Sequence, residues 1–271
     1  MTLRTRNRFI RILFAVSTLF FFTNQIILLL GIINHSFTFQ YFDQYLNDKF
    51  FLFRYSPYYV LSSNIFLNFY VSSASIILYR SFEKTAAIEA VYAILYLIAC
   101  LASCARLIIF FFNLPGTYTY LLTACGSTVL FSKLLFPISI LFLAAMPFID
   151  QIQDTNRNVF LIIILCIFFA EIIPINTSIT KADFSVFHSY EVLIHIFSTV
   201  CIISGIVITF IRNNKRMNNQ KTTIGYSCTS IGLLIIFSTT TLFQLITGIV
   251  LITLGTYFYY YELHKQYLWN D

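Results

Sequence analysis

Apolar residues in this chain come in long, nearly unbroken runs rather than in the alternation of a half-buried strand or the one-sided stripe of a surface helix. A membrane-spanning helix needs about 20 mostly apolar residues. Six runs meet that length, at residues 9–33, 59–79, 86–112, 118–148, 158–175 and 190–211. Polar breaks at 80–85, 113–116 and 150–157 separate several of them. The segment 34–57 is longer and rich in Phe and Tyr, and it is expected to lie along the membrane interface, where aromatic rings are favoured.

The final apolar stretch, 225–261, is too long for one span. As a single helix it would measure about 55 Å, against a hydrocarbon core of about 30 Å. Its polar interruption is Ser238-Thr239-Thr240-Thr241, which places a turn there and gives two helices. The expected fold is an all-α transmembrane bundle of eight helices, with seven as the alternative, forming one integral membrane domain over residues 1–271.

Charge sets the orientation. With the N-terminus inside, the internal basic residues are Arg4, Arg6, Arg8, Arg11, Arg80, Lys84, Arg157, Arg212, Lys215, Arg216 and Lys221; the external ones are Lys49, Arg54 and Lys181. Cytoplasmic loops carry such an excess, so both termini are expected in the cytoplasm of a cell membrane, the inner membrane in a bacterium. The eight-helix count also returns Lys265 to the inside. The basic start resembles a signal peptide, but the apolar run behind it is too long, and it reads as a retained first helix.

Composition agrees. Hydrophobic residues make up 58% of the chain and charged ones 10%, against about 25% charged in soluble domains. A soluble core of this size could not hide so much apolar surface. The net charge of +6 is gathered at the ends of apolar runs rather than on one soluble face, so lipid and not nucleic acid is the expected partner. Cys100, Cys104, Cys125, Cys166, Cys201 and Cys228 all fall inside apolar runs and read as packing residues, not as disulfides or metal ligands.

Ionisable groups inside a bilayer are costly and each needs a reason. Arg106 near the outer end of the third helix, Glu171 near that of the fifth, and Glu191 and His195 one turn apart on the sixth share one level. Together they are the candidate ligand-binding or proton-sensing cluster, with a helix-packing ion pair as the alternative. Lys133 lies in the middle of the fourth helix, and Pro137 at i+4 cannot donate to its carbonyl. A charge and a free backbone acceptor at one depth have the character of a transport site, though a structural kink is the simpler reading. Asn64, Asn68, Ser72 and Ser75 form a polar stripe on the second helix, suited to interhelical packing or, less simply, to lining a pathway. Asn34-His-Ser36 and Asn176-Thr-Ser178 match the N-glycosylation pattern in expected external loops.

No P-loop, dinucleotide turn, H-E-x-x-H or Gly-x-Ser-x-Gly occurs. His35, His188, His195 and His264 are too dispersed to suggest a metal, so neither a cofactor nor a metal is expected, and no enzyme.

The run Tyr259-Tyr260-Tyr261-Glu262-Leu263-His264-Lys265-Gln266-Tyr267-Leu268-Trp269 leaves the bilayer through an aromatic belt. There, and in its bundle architecture, the chain resembles the multi-helix membrane regions of bacterial sensor proteins. Rhodopsin-like receptors are a poorer comparison, because the Asp-Arg-Tyr and Asn-Pro-x-x-Tyr motifs are missing and the expected N-terminus is inside. The sensor resemblance implies a non-enzymatic sensor, or a subunit that passes its signal to a membrane or cytoplasmic protein partner. A small-solute transporter or channel built on Lys133, Pro137 and the helix-two stripe is the alternative.

Overall fold

The computed structural model describes residues 2–33, 42, 45, 50–85, 87–115, 119–148, 154–216 and 220–269. Eight helices cover most of them. They are α1 (Leu3–Ile33), α2 (Pro57–Phe82), α3 (Ile88–Phe111), α4 (Tyr120–Ala145), α5 (Thr155–Ile172), α6 (Glu191–Arg216), α7 (Gln220–Phe237) and α8 (Leu242–Trp269). Seven of these, all but α7, are long and apolar enough to cross a membrane. The chain is a multi-pass α-helical membrane protein. Most of the segment expected along the interface, and the Asn34-His-Ser36 pattern within it, lie outside the described residues.

Local chemistry explains the helix ends. Pro57 opens α2, where its missing N–H is not needed and its fixed φ suits the first turn. Thr119 caps α4 by accepting a hydrogen bond from the Leu122 N–H at 3.2 Å, and Asp154 caps α5 through the Asn156 N–H at 3.1 Å. The first helix begins six residues earlier than its apolar run, because arginine is a good helix former and Arg6 has a place to go. Its guanidinium donates to the carbonyls of Phe82 and Thr85, closing the end of α2 onto the start of α1.

Consecutive helices run in alternating directions. The start of α7 meets the end of α8 through Lys221 and Glu262, 4.0 Å apart. The start of α3 meets the far part of α6 through Glu89 and Arg212 at 3.5 Å, both buried. At the other end Tyr55 bridges Thr241 in the α7–α8 turn, which falls at residues 238–241. The α3 and α4 helices lie centrally, and α1 and α5 present exposed apolar faces such as Leu19, Phe22, Phe160 and Phe168. The main core joins α2, α3, α4, α6, α7 and α8 around Leu67, Tyr92, Tyr96, Phe136, Ile140, Leu233 and Ile252.

Two features depart from straight apolar cylinders. First, α7 falls outside the helices long and apolar enough to cross a membrane, and it buries Thr222, Thr229 and Ser230. It packs against α8 almost backbone to backbone: a Cβ added to Gly225 would sit 2.6 Å from the Tyr259 N, and one added to Gly255 2.5 Å from the Thr229 N. Small residues permit such an approach. Second, between α5 and α6 the chain forms an antiparallel hairpin, β1 (Ile175–Thr180) and β2 (Val186–His188). The helix expected to continue through Ile175 ends at Ile172, and the β-branched sequence Ile-Asn-Thr-Ser-Ile-Thr takes up strand pairing. The hairpin packs on α4, where Ile175 and Val186 lie against Gly126.

Candidate binding pocket at the hairpin end

The helix α3 is broken at Cys104 and Ala105. Four i→i+3 bonds, from the N–H groups of Cys104, Ala105, Leu107 and Ile108, tighten the turn there. The break brings Arg106 inward, where it is 2% exposed. Its Nε donates to the Ser103 carbonyl at 3.1 Å and its Nη1 to the Phe237 carbonyl at 2.8 Å. Phe237 is the last residue of α7, so the cation satisfies one of that helix's orphan carbonyls.

The same Nη1 lies 3.6 Å from the Asp183 carboxylate, at the tip of the hairpin. Asp183 shapes its own turn: its Oδ1 accepts from the Ser185 N–H at 3.0 Å and from the Ser185 hydroxyl at 2.6 Å. Phe184 sits between them at φ 63, a conformation bulky residues avoid. Packing holds it there, since its ring stacks on Phe110 at 5.0 Å and meets Phe42 at 4.6 Å. The Tyr55 hydroxyl donates to the Ala182 carbonyl and that of Tyr45 to the Thr180 carbonyl.

Lys133 reaches the same carboxylate from α4, with Nζ 3.8 Å from Asp183 Oδ2. The ammonium also donates to the Ser185 hydroxyl at 3.5 Å. Burial would by itself raise the Asp183 carboxyl; Lys133 and Arg106, with the Ser185 hydrogen bond and Lys181, outweigh it and hold the group well below the usual carboxylate range. Beside this cluster Lys181 pairs with Glu191 at the start of α6. Glu191 in turn lies 3.6 Å from His195 Nε2, an ion pair when the imidazole is protonated. His188, on β2, is buried, and neither ring nitrogen has a hydrogen-bond partner among the described residues. Burial first, then Lys133 and Lys181, push its pKa down to about 3.

Lys133, Lys181, Asp183, Glu191 and His195 border a cavity of about 330 Å³. Lys133 and Phe136 of α4, Lys181 to Asp183 of the hairpin turn, Glu191, Ile194, His195, Ser198 and Thr199 of α6, and Leu234 and Phe237 of α7 line it, with Ser238 and Thr240 at the rim. Among the described residues, no three His, Cys, Asp or Glu side chains converge as a metal site requires.

The structure therefore brings Glu191, His195 and Lys133 to one pocket, with Arg106 directly behind it. Glu171 stays apart, exposed on α5, and the carboxylate that meets Arg106 is Asp183 rather than Glu171 or Glu191. Pro137 is buried within α4, which continues as helix through it. The stripe on α2 faces α1 and the helix's own backbone: Ser72 donates to the Ser17 hydroxyl at 3.0 Å, and the Asn68 amide, oriented to suit its neighbours, meets the Ser17 carbonyl and Asn24. Asn64 and Ser75 bond the carbonyls of Val60 and Val71 one turn back. Five of the six cysteines are buried, Cys228 is half-buried, and all are free thiols.

Sequence reasoning passed over Asp183, the centre of the cluster. Its signal was the tripeptide Asp183-Phe-Ser185, an acid two residues before a serine in the connection between α5 and α6. No family model, curated protein or solved structure matches the chain.

Proposed function

We propose that this protein is a non-enzymatic sensor of the cell membrane, with the hairpin end outside and both termini in the cytoplasm, passing its state to a membrane or cytoplasmic protein partner. One observation carries the reading: the pocket at the hairpin end meets a packed floor. Below Lys133 the side chains of Phe136, Ile140 and Leu143 on α4 are buried in the main core. A solute entering beside Lys181 and His195 reaches the groups that tie the hairpin to α3, α4 and α7, and finds dense packing beyond them. Differential contact with those groups is what a ligand needs in order to shift a conformational equilibrium.

The transport reading draws on a different observation, that the cavity reaches Lys133, halfway along α4. Cysteine accessibility separates the two. Ser198 is buried on the pocket wall. In a Cys228→Ser background, Ser198→Cys should react with a membrane-impermeant maleimide added outside the cell, and not with reagent confined to the cytoplasmic side. Labelling from both sides would establish alternating access and replace sensing with transport. Labelling from the cytoplasmic side alone would invert the orientation.

A further inference from the structure

Among the described residues the charges around the pocket do not balance. Arg106, Lys133 and Lys181 face two carboxylates, Asp183 and Glu191. One positive charge at this buried end has no counter-charge of its own among the described residues. An uncompensated charge in such a place is expensive.

Lys133 is the cation in excess. Arg106 is bound by two backbone carbonyls as well as by Asp183. Lys181 has Glu191, and its ammonium lies 5.2 Å from the Phe187 ring. Lys133 has a 3.8 Å ion pair to a carboxylate it shares and a hydrogen bond at 3.5 Å, both at the outer limit of such contacts. An ammonium has three donors, and this one borders the cavity.

Phe136, Ile194 and Leu234 give the wall an apolar portion, alongside the hydroxyls of Ser198 and Thr199. A cavity of about 330 Å³ has room for on the order of ten heavy atoms, at the small end of ligand pockets. A cation would add to the excess. A dianion would overshoot neutrality next to Asp183 and Glu191. We infer that the pocket takes a small amphipathic monoanion, a carboxylate with a short acyl or aryl body, its charged group on Lys133 Nζ and its body against Phe136, Ile194 and Leu234. This rests on the sensor reading for the pocket's role and adds the ligand class. It also supplies a signal: the ligand competes with Asp183 for Lys133 and leaves Arg106 as the one cation within ion-pair distance of that carboxylate among the described residues.

The test uses the full chain in nanodiscs of zwitterionic lipid, its unfolding followed with a thiol-reactive dye that reports exposure of the buried cysteines. Hexanoate, benzoate and oleate are compared with hexanol and hexylamine at matched ionic strength. A carboxylate should raise the unfolding midpoint, with hexanol acting more weakly and hexylamine not at all. Hexanoate or benzoate should act and oleate, whose body exceeds the cavity, should not; oleate acting alone would overturn the inference. Lys133→Met should be no less stable than the parent without ligand, because it removes the excess charge, and should bind the carboxylate about tenfold more weakly or worse. Lys133→Arg should keep the response. An equal shift with hexanol and hexanoate, a carboxylate shift that survives Lys133→Met, or a Lys133→Met protein that does not fold would each overturn the inference. No shift with any compound, alongside outside-only labelling of Ser198→Cys, defeats the ligand class and spares the sensor reading. Two-sided labelling with a Lys133-dependent shift defeats the sensor reading and leaves the monoanion as a transported solute.

Discussion

Replacing Asp183 with Asn isolates the charge at the centre of the cluster. The side chain keeps its shape, and its Oδ1 can still accept both bonds from Ser185, so the turn itself is preserved. What disappears is the attraction to Arg106 at 3.6 Å and to Lys133 at 3.8 Å. With an effective dielectric of about 20, each attraction is worth about 4–5 kcal/mol before desolvation is counted. Desolvation offsets much of that in the parent, but it is not recovered when only the acid is lost and both cations stay buried. The expected destabilisation is therefore about 3–5 kcal/mol, the usual penalty for breaking a buried pair from one side. Thiol-dye unfolding of the purified protein should show a clearly lower midpoint, and folded yield should fall. The double variant Asp183→Asn with Lys133→Met should regain a substantial part of the loss, since one of the two stranded cations goes with it. Unfolding of Asp183→Asn within a degree of the parent, or a double variant no better than the single, would refute the claim that these charges act as a unit.

Two further outcomes follow from other parts of the fold. His188 is held neutral with its pKa near 3, against 6.5 when unfolded, so between those values the unfolded chain binds a proton that the folded one refuses. Stability should be full above pH 6.5 and decline as the pH falls toward 3, by up to about 1.4 kcal/mol per pH unit. His188→Phe should flatten a profile of unfolding midpoint between pH 6.5 and 4.5, a range in which the depressed Asp183 carboxyl does not yet titrate; an unchanged slope would mean that another group governs acid lability. Gly255→Ala places a methyl 2.5 Å from the Thr229 N, and it should destabilise by about 1–3 kcal/mol through overpacking, outweighing the gain of about 1 kcal/mol in helix propensity. Gly126→Ala meets only side-chain atoms, the nearest at 3.3 Å, and should be milder in the same melt.

The helices were legible because hydropathy sums over some 20 residues, and the turn at 238–241 because a length limit forces one. Depth along the membrane could also be read: Arg106, Glu191 and His195 were placed at one level from their distance to helix ends, and the structure puts them at the hairpin end. Azimuth could not. Which carboxylate faces Arg106 depends on how α3, α4, α6 and α7 rotate against one another, and spacing along a single helix does not contain that. So Glu171 looked as suitable as any acid, yet it faces away. The hairpin was invisible for a different reason. Six strand residues vanish inside a 20-residue average, and Asp183 was hidden in what read as a loop. The twin Gly-x6-Gly spacings, Gly225 with Gly232 and Gly248 with Gly255, did announce the close α7–α8 contact, and that signal went unused.

The contact between α7 and α8 also bears on how the protein is made. A segment that buries Thr222, Thr229 and Ser230 gains little by leaving a translocation channel for lipid alone, since its polar side would meet hydrocarbon with nothing to answer it. Its natural shelter is the glycine-notched face of α8, which is synthesised only after α7 has been completed. The contact predicts that the two helices enter the bilayer as a pair, so that an insertion reporter placed after α7 should read a single orientation only when α8 follows it.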